Sequence, residues 1–288
     1  MNPYIQSLRP RTLPLSVSGI ILGTGLAWEA IQFAPSTVQI RVFVLAILTT
    51  LSLQILSNLC NELGDAQKGT DEAQKGRAAY GLQSGKITLG QMKGMIWLFV
   101  GLCVVFGLCL IHSAFGAFTQ GKSLGFIGLG MLSIVGAVKY TLGKHSYGYI
   151  GLGDLGVLLF FGLVSTVGGY YLQVQAVTAE VVWSGVAIGL PCVGVLNLNN
   201  IRDMQNDIAH GKRTLASMMG QTGARVYHTM LLIGCLVIFA AFGHWWTWCI
   251  APVWIWHSWY IWTHQERLDK QMPVLMFSTL AVAFLALL

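Results

Sequence analysis

The chain has 288 residues, of which 55% are hydrophobic and only 10% charged, with a net charge of +6. Soluble domains carry roughly 25% charged residues, so this composition excludes a soluble globular protein and calls for an all-α, polytopic membrane protein. The six cysteines (60, 103, 109, 192, 235 and 249) show neither CxxC nor Cys/His ligand spacing, which leaves them as small buried hydrophobes.

Apolar segments predict spans over about 12–33, 41–62, 94–113, 123–141, 154–174, 181–201, 226–243, 246–263 and 272–288. Each is close to the roughly 17–25 residues that cross a hydrocarbon core. The stretch 226–265 holds no Asp, Glu, Lys or Arg and is the right length for two spans, with a turn near Gly243-His244. Nine helices are therefore expected, eight if the last does not cross, in one domain covering 1–288. If the odd-numbered spans run outward, every Lys and Arg except Arg41 and Lys122 collects on one side. The positive-inside bias makes that side cytoplasmic, with the N-terminus on it. Topology thus accounts for the positive charge, and no nucleic-acid partner is implied.

In chain order, Arg9-Pro10-Arg11-Thr12 precedes the first span and suits a retained first helix. Arg9 is either a topological anchor or a cation near an anionic substrate. The second span carries Gln54, Asn58, Asn61 and Asp65 on one helical stripe. Such a stripe faces the bundle or a wet cavity, because lipid would not tolerate it. Polar glue between helices explains Gln54 and Asn58. It does not explain why the stripe runs on into Asp65, Lys68 and Asp71. The following loop, 62–91, is rich in glycine and in Lys and Arg, and it is long for a connection without function.

Lys139-Tyr140-Thr141 ends the fourth span, and 147–154 follows as Tyr-Gly-Tyr-Ile-Gly-Leu-Gly-Asp, in which Asp154 is a candidate cap of the fifth helix. The sixth span ends in Asn199-Asn200-Ile201-Arg202-Asp203, with Asp207, Lys212 and Arg213 beyond. Asn199, Asp203 and Asp207 are spaced i, i+4, i+8 and share one helical face. After that cluster the histidines (228, 244, 257, 264) lack metal spacing, and the seven tryptophans between 245 and 262 read as interfacial or lipid-facing.

Two polar clusters at the same membrane edge suggest a shared metal site. Asp and Asn oxygens suit Mg²⁺, which completes its shell with substrate phosphates. A diphosphate joined to an apolar tail, such as a prenyl diphosphate, would place its head at this edge and its tail in the bilayer. A secondary carrier is the rival from another class, but carriers keep their charges near the midplane, and here the midplane is nearly uncharged.

Asn61-x-x-x-Asp65 with Asp71, and Asn200-x-x-Asp203-x-x-x-Asp207 with Gly211-Lys212-Arg213-Thr214, resemble the two Asp-rich motifs of the UbiA superfamily of intramembrane aromatic prenyltransferases. Residues 9–14 and 147–154 are similar to segments of the subgroup that prenylates 1,4-dihydroxy-2-naphthoate in menaquinone synthesis. The resemblance implies a UbiA-like bundle around a central cavity, in a bacterial cytoplasmic (inner) membrane, with membrane lipid as its surroundings. It implies Mg²⁺ held by Asn61, Asp65, Asp71, Asn200, Asp203 and Asp207. It further implies substrate contacts from Arg9, Asn58, Asn61, Lys68, Arg77, Lys139, Asn199, Asn200, Arg202, Lys212 and Arg213, and cation–π help from Tyr140 or Tyr149. Polyprenyl diphosphate and 1,4-dihydroxy-2-naphthoate are the implied substrates, with 4-hydroxybenzoate as the alternative acceptor. One departure is Tyr80, which stands where the subgroup usually has a loop Arg; Arg77 or Lys75 is the expected substitute.

Overall fold

Hydrocarbon offers a peptide group no hydrogen-bond partner, so a chain this apolar satisfies its backbone inside helices. The computed structural model describes residues 2–32, 34–69, 81–144, 146–264 and 268–288. They form α1 (Pro3–Ser7), α2 (Leu13–Ile31), α3 (Thr37–Lys68), α4 (Leu89–Phe115), α5 (Gly121–Lys139) and α6 (Gly153–Val157). A π-helical segment, Leu158–Val164, leads into α7 (Ser165–Val174). Then come α8 (Ala179–Ala209), α9 (Leu215–Ala241), α10 (Ala251–Thr263) and α11 (Gln271–Leu285). Among the described residues the only β pairing is a single bridge between Ile150 and Arg213.

Local sequence sets the helix starts. Ser36 with Gln39, Thr88 with Gln91, and Thr214 with Ser217 form reciprocal capping boxes at α3, α4 and α9. Asp154 does not cap a helix. It lies in the first turn of α6 and accepts a hydrogen bond from the Tyr227 hydroxyl at 3.2 Å.

Among the described residues, eight helical stretches are long and apolar enough to span a membrane. The eighth expected span, 246–263, is instead a 3₁₀ segment, Trp245–Ile250, followed by the 13-residue α10. A 3₁₀ helix rises about 2.0 Å per residue against about 1.5 Å for an α-helix. The tighter winding gives these residues a reach close to the roughly 30 Å core, although α10 alone is too short. Most of the tryptophans here are exposed, as a lipid-facing surface requires. Trp254 is the exception; it is buried and donates from Nε1 to Ser278 Oγ at 2.8 Å.

α8 runs through the middle of the bundle, against α9, α11, α2 and the π segment. Its buried Ile188, Leu198 and Ile201 join Leu22, Phe239 and Leu275 in the largest core cluster. At 31 residues it outlasts the bilayer by roughly 10 residues, and α3, at 32, does the same. Asp65 and Asp203 stand on these overhanging ends. His228 and His257 meet between α9 and α10, Nε2 to Nε2 at 3.0 Å, with Gln271 Oε1 2.8 Å from His257 Nδ1.

The α2–α7 contact needs glycine. A Cβ on Gly23 would stand 2.1 Å from the Thr166 carbonyl oxygen, whereas one on Gly101 of α4 would meet nothing within 4 Å. Overpacking of this kind costs about 1–3 kcal/mol or more. Gly23→Leu should therefore lower the unfolding midpoint in detergent by several degrees, and Gly101→Leu should leave it in place. Equal midpoints for the two variants would refute the close approach.

Candidate active site

The site forms where the overhanging ends of α3 and α8 meet the connection from α5 to α6. That connection folds back tightly: the Gly148 N–H donates to the Tyr140 carbonyl at 3.0 Å, and a Cβ on Gly148 would come within 2.7 Å of the same oxygen. The turn presents Tyr149 to α3, and its hydroxyl donates to Asp65 Oδ1 at 2.8 Å. Lys68, one turn beyond Asp65, lays its ammonium over the Tyr149 ring, 3.4 Å from the centroid. It also donates to the Thr141 carbonyl (2.7 Å) and Ser146 Oγ (2.6 Å). Gly64 leaves room for this packing, since a Cβ there would lie 2.4 Å from Thr141 Cγ2.

The α8 side reaches the same ring. The Arg213 N–H donates to the Tyr149 carbonyl at 3.1 Å, docking the turn after α8. Lys212 Nζ lies 5.4 Å from the Tyr149 centroid and 3.3 Å from Asp207 Oδ1 and Oδ2. Arg202 grips Asp203 through both edges of its fork, Nε to Oδ1 at 2.7 Å and Nη2 to Oδ2 at 2.5 Å. Its Nη1 reaches Asp269 Oδ1 at 2.5 Å. Bidentate pairing of this kind fixes geometry as well as charge. Asp65 and Asp203 are both close enough to act electrostatically on Asp207.

Beneath the carboxylates lies a cavity of about 310 Å³. Arg9, Asn58, Asn61 and Asn199 line its polar end, together with Tyr140 and Tyr147, and the remaining walls are mostly apolar. The three described aspartates of the motifs do not line it; they stand beyond its polar end. Burial, followed by the fields of Asp154, Tyr147, Asp65 and Asp207, holds the Tyr140 hydroxyl well above the usual phenol range. Burial pushes Tyr147 up to about 12. Both are therefore neutral phenols at physiological pH, with their rings edge to face at 5.3 Å.

Other expected site residues divide into four groups. Asn58 donates to the Leu8 carbonyl (2.9 Å) and Thr12 Oγ1 (3.0 Å), and Gln54 also donates to Thr12, so these two anchor the N-terminal segment. Asn61 Oδ1 accepts from the Thr141 hydroxyl, and Asn199 Nδ2 donates to the Val195 carbonyl at 3.1 Å. Asn200 is buried on α8. Lys139 is exposed and, among the described residues, pairs with no carboxylate; the Arg213 side chain is also exposed. Asp71, Lys75, Arg77 and Tyr80 lie outside the described residues.

Sequence reasoning missed Asp269, Thr141 and Ser146. Asp269 sits with Glu266, Arg267 and Lys270 in a short polar connection between two apolar segments, where nothing in the spacing links it to Arg202. Glu62 was missed too. It is fully buried, and its Oε1 accepts from the Leu82 N–H at 2.7 Å, tying the loop before α4 to α3.

Comparison with known proteins identifies the family. The profile of the UbiA prenyltransferase family matches residues 18–288. The chain is 44% identical to a 1,4-dihydroxy-2-naphthoate octaprenyltransferase of Escherichia coli, over 83% of this chain and 75% of that one. It is 39% identical to a protein of the same name from Haemophilus influenzae, over 84% and 77%. Its fold is similar to a UbiA homolog from Archaeoglobus fulgidus bound to GPP and Mg²⁺, with TM-score 0.63, 14% identity and 99% coverage of both chains. A second similar fold is the apo UbiA homolog from Aeropyrum pernix, with TM-score 0.65 and 17% identity, covering 98% of this chain and 95% of that one. The chain is an integral membrane protein belonging to the UbiA prenyltransferase family.

Proposed function

We propose that this protein transfers a polyprenyl group from its diphosphate to 1,4-dihydroxy-2-naphthoate with loss of CO₂, giving a demethylmenaquinol, the reduced form of a demethylmenaquinone. The observation that carries this reading is the joining of Asp65 and Asp207 through one ring: Tyr149 bonds Asp65, and Lys212 spans from that ring to Asp207, directly above an apolar cavity. The names of the relatives in Escherichia coli and Haemophilus influenzae support the acceptor. The Lys and Arg bias supports a bacterial cytoplasmic membrane with the carboxylate end facing the cytoplasm.

The donor set suits Mg²⁺. Asp65, Asp203 and Asp207 offer hard oxygens from two helix ends, as a metal shared with a diphosphate requires. Among the described residues no three acidic, His or Cys side chains already converge on one point. Each carboxylate instead rests on a donor of its own, Tyr149, Arg202 or Lys212. Asp65, Asp203 and Asp207, with Asn61, Asn200 and Asp71, would hold the ion. When bound it supplies charge neutralisation for the departing diphosphate.

The chain's own residues supply the rest. Arg202 and Lys212, drawn from their carboxylates, take diphosphate oxygens and stabilise the charge that develops as C1–O breaks. The bond pair leaves with the diphosphate, and an allyl cation remains in the cavity. The faces of Tyr140 and Tyr147 stabilise it by about 1–2 kcal/mol. As neutral phenols they are poor nucleophiles and do not capture the cation. The naphthoate carbon bearing the carboxylate then attacks C1. The C–C bond forms, CO₂ leaves, and its bond pair restores the aromatic ring. Arg9, at the polar end of the cavity, is placed to hold that carboxylate until it leaves.

Purified protein with a long-chain prenyl diphosphate and Mg²⁺ should convert dihydroxynaphthoate to a prenylated, decarboxylated naphthoquinol by mass spectrometry, and EDTA should abolish it. Product from 4-hydroxybenzoate alone would overturn the acceptor. Asp65→Asn and Asp203→Asn should each lower kcat/KM by about 100-fold or more, about 2.7 kcal/mol, at normal expression; retained activity would remove that residue from the site. Tyr149→Phe keeps the ring under Lys68 but loses the bond to Asp65. A drop of about tenfold is expected, and wild-type kinetics would show that Asp65 needs no such support.

A further inference from the structure

The turn before α2 is strained. Arg9 takes the left-handed conformation (φ 51°, ψ 61°), which a side chain of its size rarely adopts, and Pro10 restricts the residue before it further. A backbone of this kind persists only where its surroundings over-determine it, and such residues gather at functional sites.

Two amides of α3 supply the restraint. Asn58 Nδ2 donates to the Leu8 carbonyl at 2.9 Å and to Thr12 Oγ1 at 3.0 Å. Gln54 Nε2 donates to Thr12 Oγ1 at 3.0 Å and to Asn58 Oδ1 at 3.3 Å. Thr12 passes the restraint on, since its hydroxyl and its N–H each donate to the Arg9 carbonyl at 2.9 Å. The Leu8 carbonyl belongs to the peptide group before the Arg9 Cα, and the Arg9 carbonyl to the one after it. With both planar groups held, φ and ψ of Arg9 are both fixed. Asn58 thereby commits both its amide hydrogens, and Thr12 its single hydroxyl hydrogen. Both side chains border the cavity, yet neither keeps a hydrogen to donate to a substrate; of this cluster, Arg9 alone brings a charge to the cavity wall.

We infer that Asn58 and Thr12 are positioning residues for acceptor recognition: they hold the strained turn that aims Arg9 at the carboxylate of the aromatic acceptor, and donate to neither substrate themselves. This rests on the function proposed above and deepens it, by separating the residue that grips the acceptor from those that keep it in place. A planar guanidinium meets a carboxylate through two parallel hydrogen bonds, so its orientation decides the strength of the pair. When the turn relaxes, the fork rotates and the carboxylate loses that pairing. The diphosphate, held at the end that carries Asp65, Asp203 and Asp207, keeps its contacts.

The test measures binding to the full-length protein in nanodiscs by calorimetry, using 1,4-dihydroxy-2-naphthoate and 1,4-dihydroxynaphthalene, which lacks the carboxylate. The readout is the ratio of the two Kd values, which does not depend on the fraction of active protein. Wild type should prefer the naphthoate by about tenfold or more. Thr12→Val and Asn58→Leu keep the size of the side chain and lose its hydrogen bonds. Each should cut that preference by about fivefold or more, as Arg9→Ala does, with dihydroxynaphthalene still bound within about twofold of wild type. KM for the prenyl diphosphate should also stay within about twofold. Thr12→Ser keeps the hydroxyl and should keep the wild-type preference. An unchanged preference in both Thr12→Val and Asn58→Leu would overturn the inference. So would equal weakening of both ligands, which marks a merely structural role, or a wild type with no preference for the carboxylate. Turnover of the wild type is the separate check. No prenylated naphthoquinol would sink the proposed function itself, whereas product with an unmoved ratio would sink only the positioning role.

Discussion

Three carboxylates cannot share one end of a bundle without partners, and the structure of this protein depends on how that repulsion is met. Asp65 takes the Tyr149 hydroxyl, Asp203 the fork of Arg202, and Asp207 the ammonium of Lys212. Tyr149 is the common point, since its hydroxyl serves α3, its ring lies under Lys68 and its carbonyl receives the turn after α8. Tie by tie these contacts are modest, because partly exposed ion pairs contribute about 0–1 kcal/mol each. Together they set the spacing of two helix ends. They also store cations beside the carboxylates, where an anionic head group can exchange for them.

That arrangement is possible because α3 and α8 are too long for the membrane. A charge at the bilayer centre is costly, and the overhang moves the aspartates clear of hydrocarbon while the same helices wall the cavity below. The π segment serves the cavity in a different way. Gly162 brings it against α8, where a Cβ would lie 2.6 Å from the Gly185 carbonyl oxygen. Phe160, Phe161 and Val164 of the same segment line the cavity. A π turn inserts an extra residue per turn and redirects side chains, and such turns gather at functional sites.

Polarity is graded along this axis. Carboxylates and cations hold the outer end, amides and phenols the next layer, and aliphatic and aromatic side chains the remainder. The same order describes a prenyl diphosphate from head to tail. The buried histidine pair and Trp254 stand apart from this axis and knit α9, α10 and α11 together.

Much of this was legible in the amino-acid order. Scarcity of charge required helices in a membrane, and i, i+4 spacing put Asn61 with Asp65, and Asn199 with Asp203 and Asp207, on single faces. These are consequences of helix periodicity, which is local. The eighth span reads as one continuous helix because hydropathy counts residues and not their rise, so a 3₁₀ segment ahead of a short α-helix looks the same. Arg202 was read as a diphosphate contact. Its grip on Asp203 and Asp269 appears only when a residue 67 positions away is folded back against it. Histidines 228 and 257 lacked metal spacing in the chain, yet they touch across two helices. The sequence alone determined the membrane class, the helix count to within one, and the residue types of the site, because burial in lipid and helical period act on neighbours in the chain. The tertiary structure alone decided which cation serves which carboxylate, and which residues line the cavity, because those depend on contacts between distant segments.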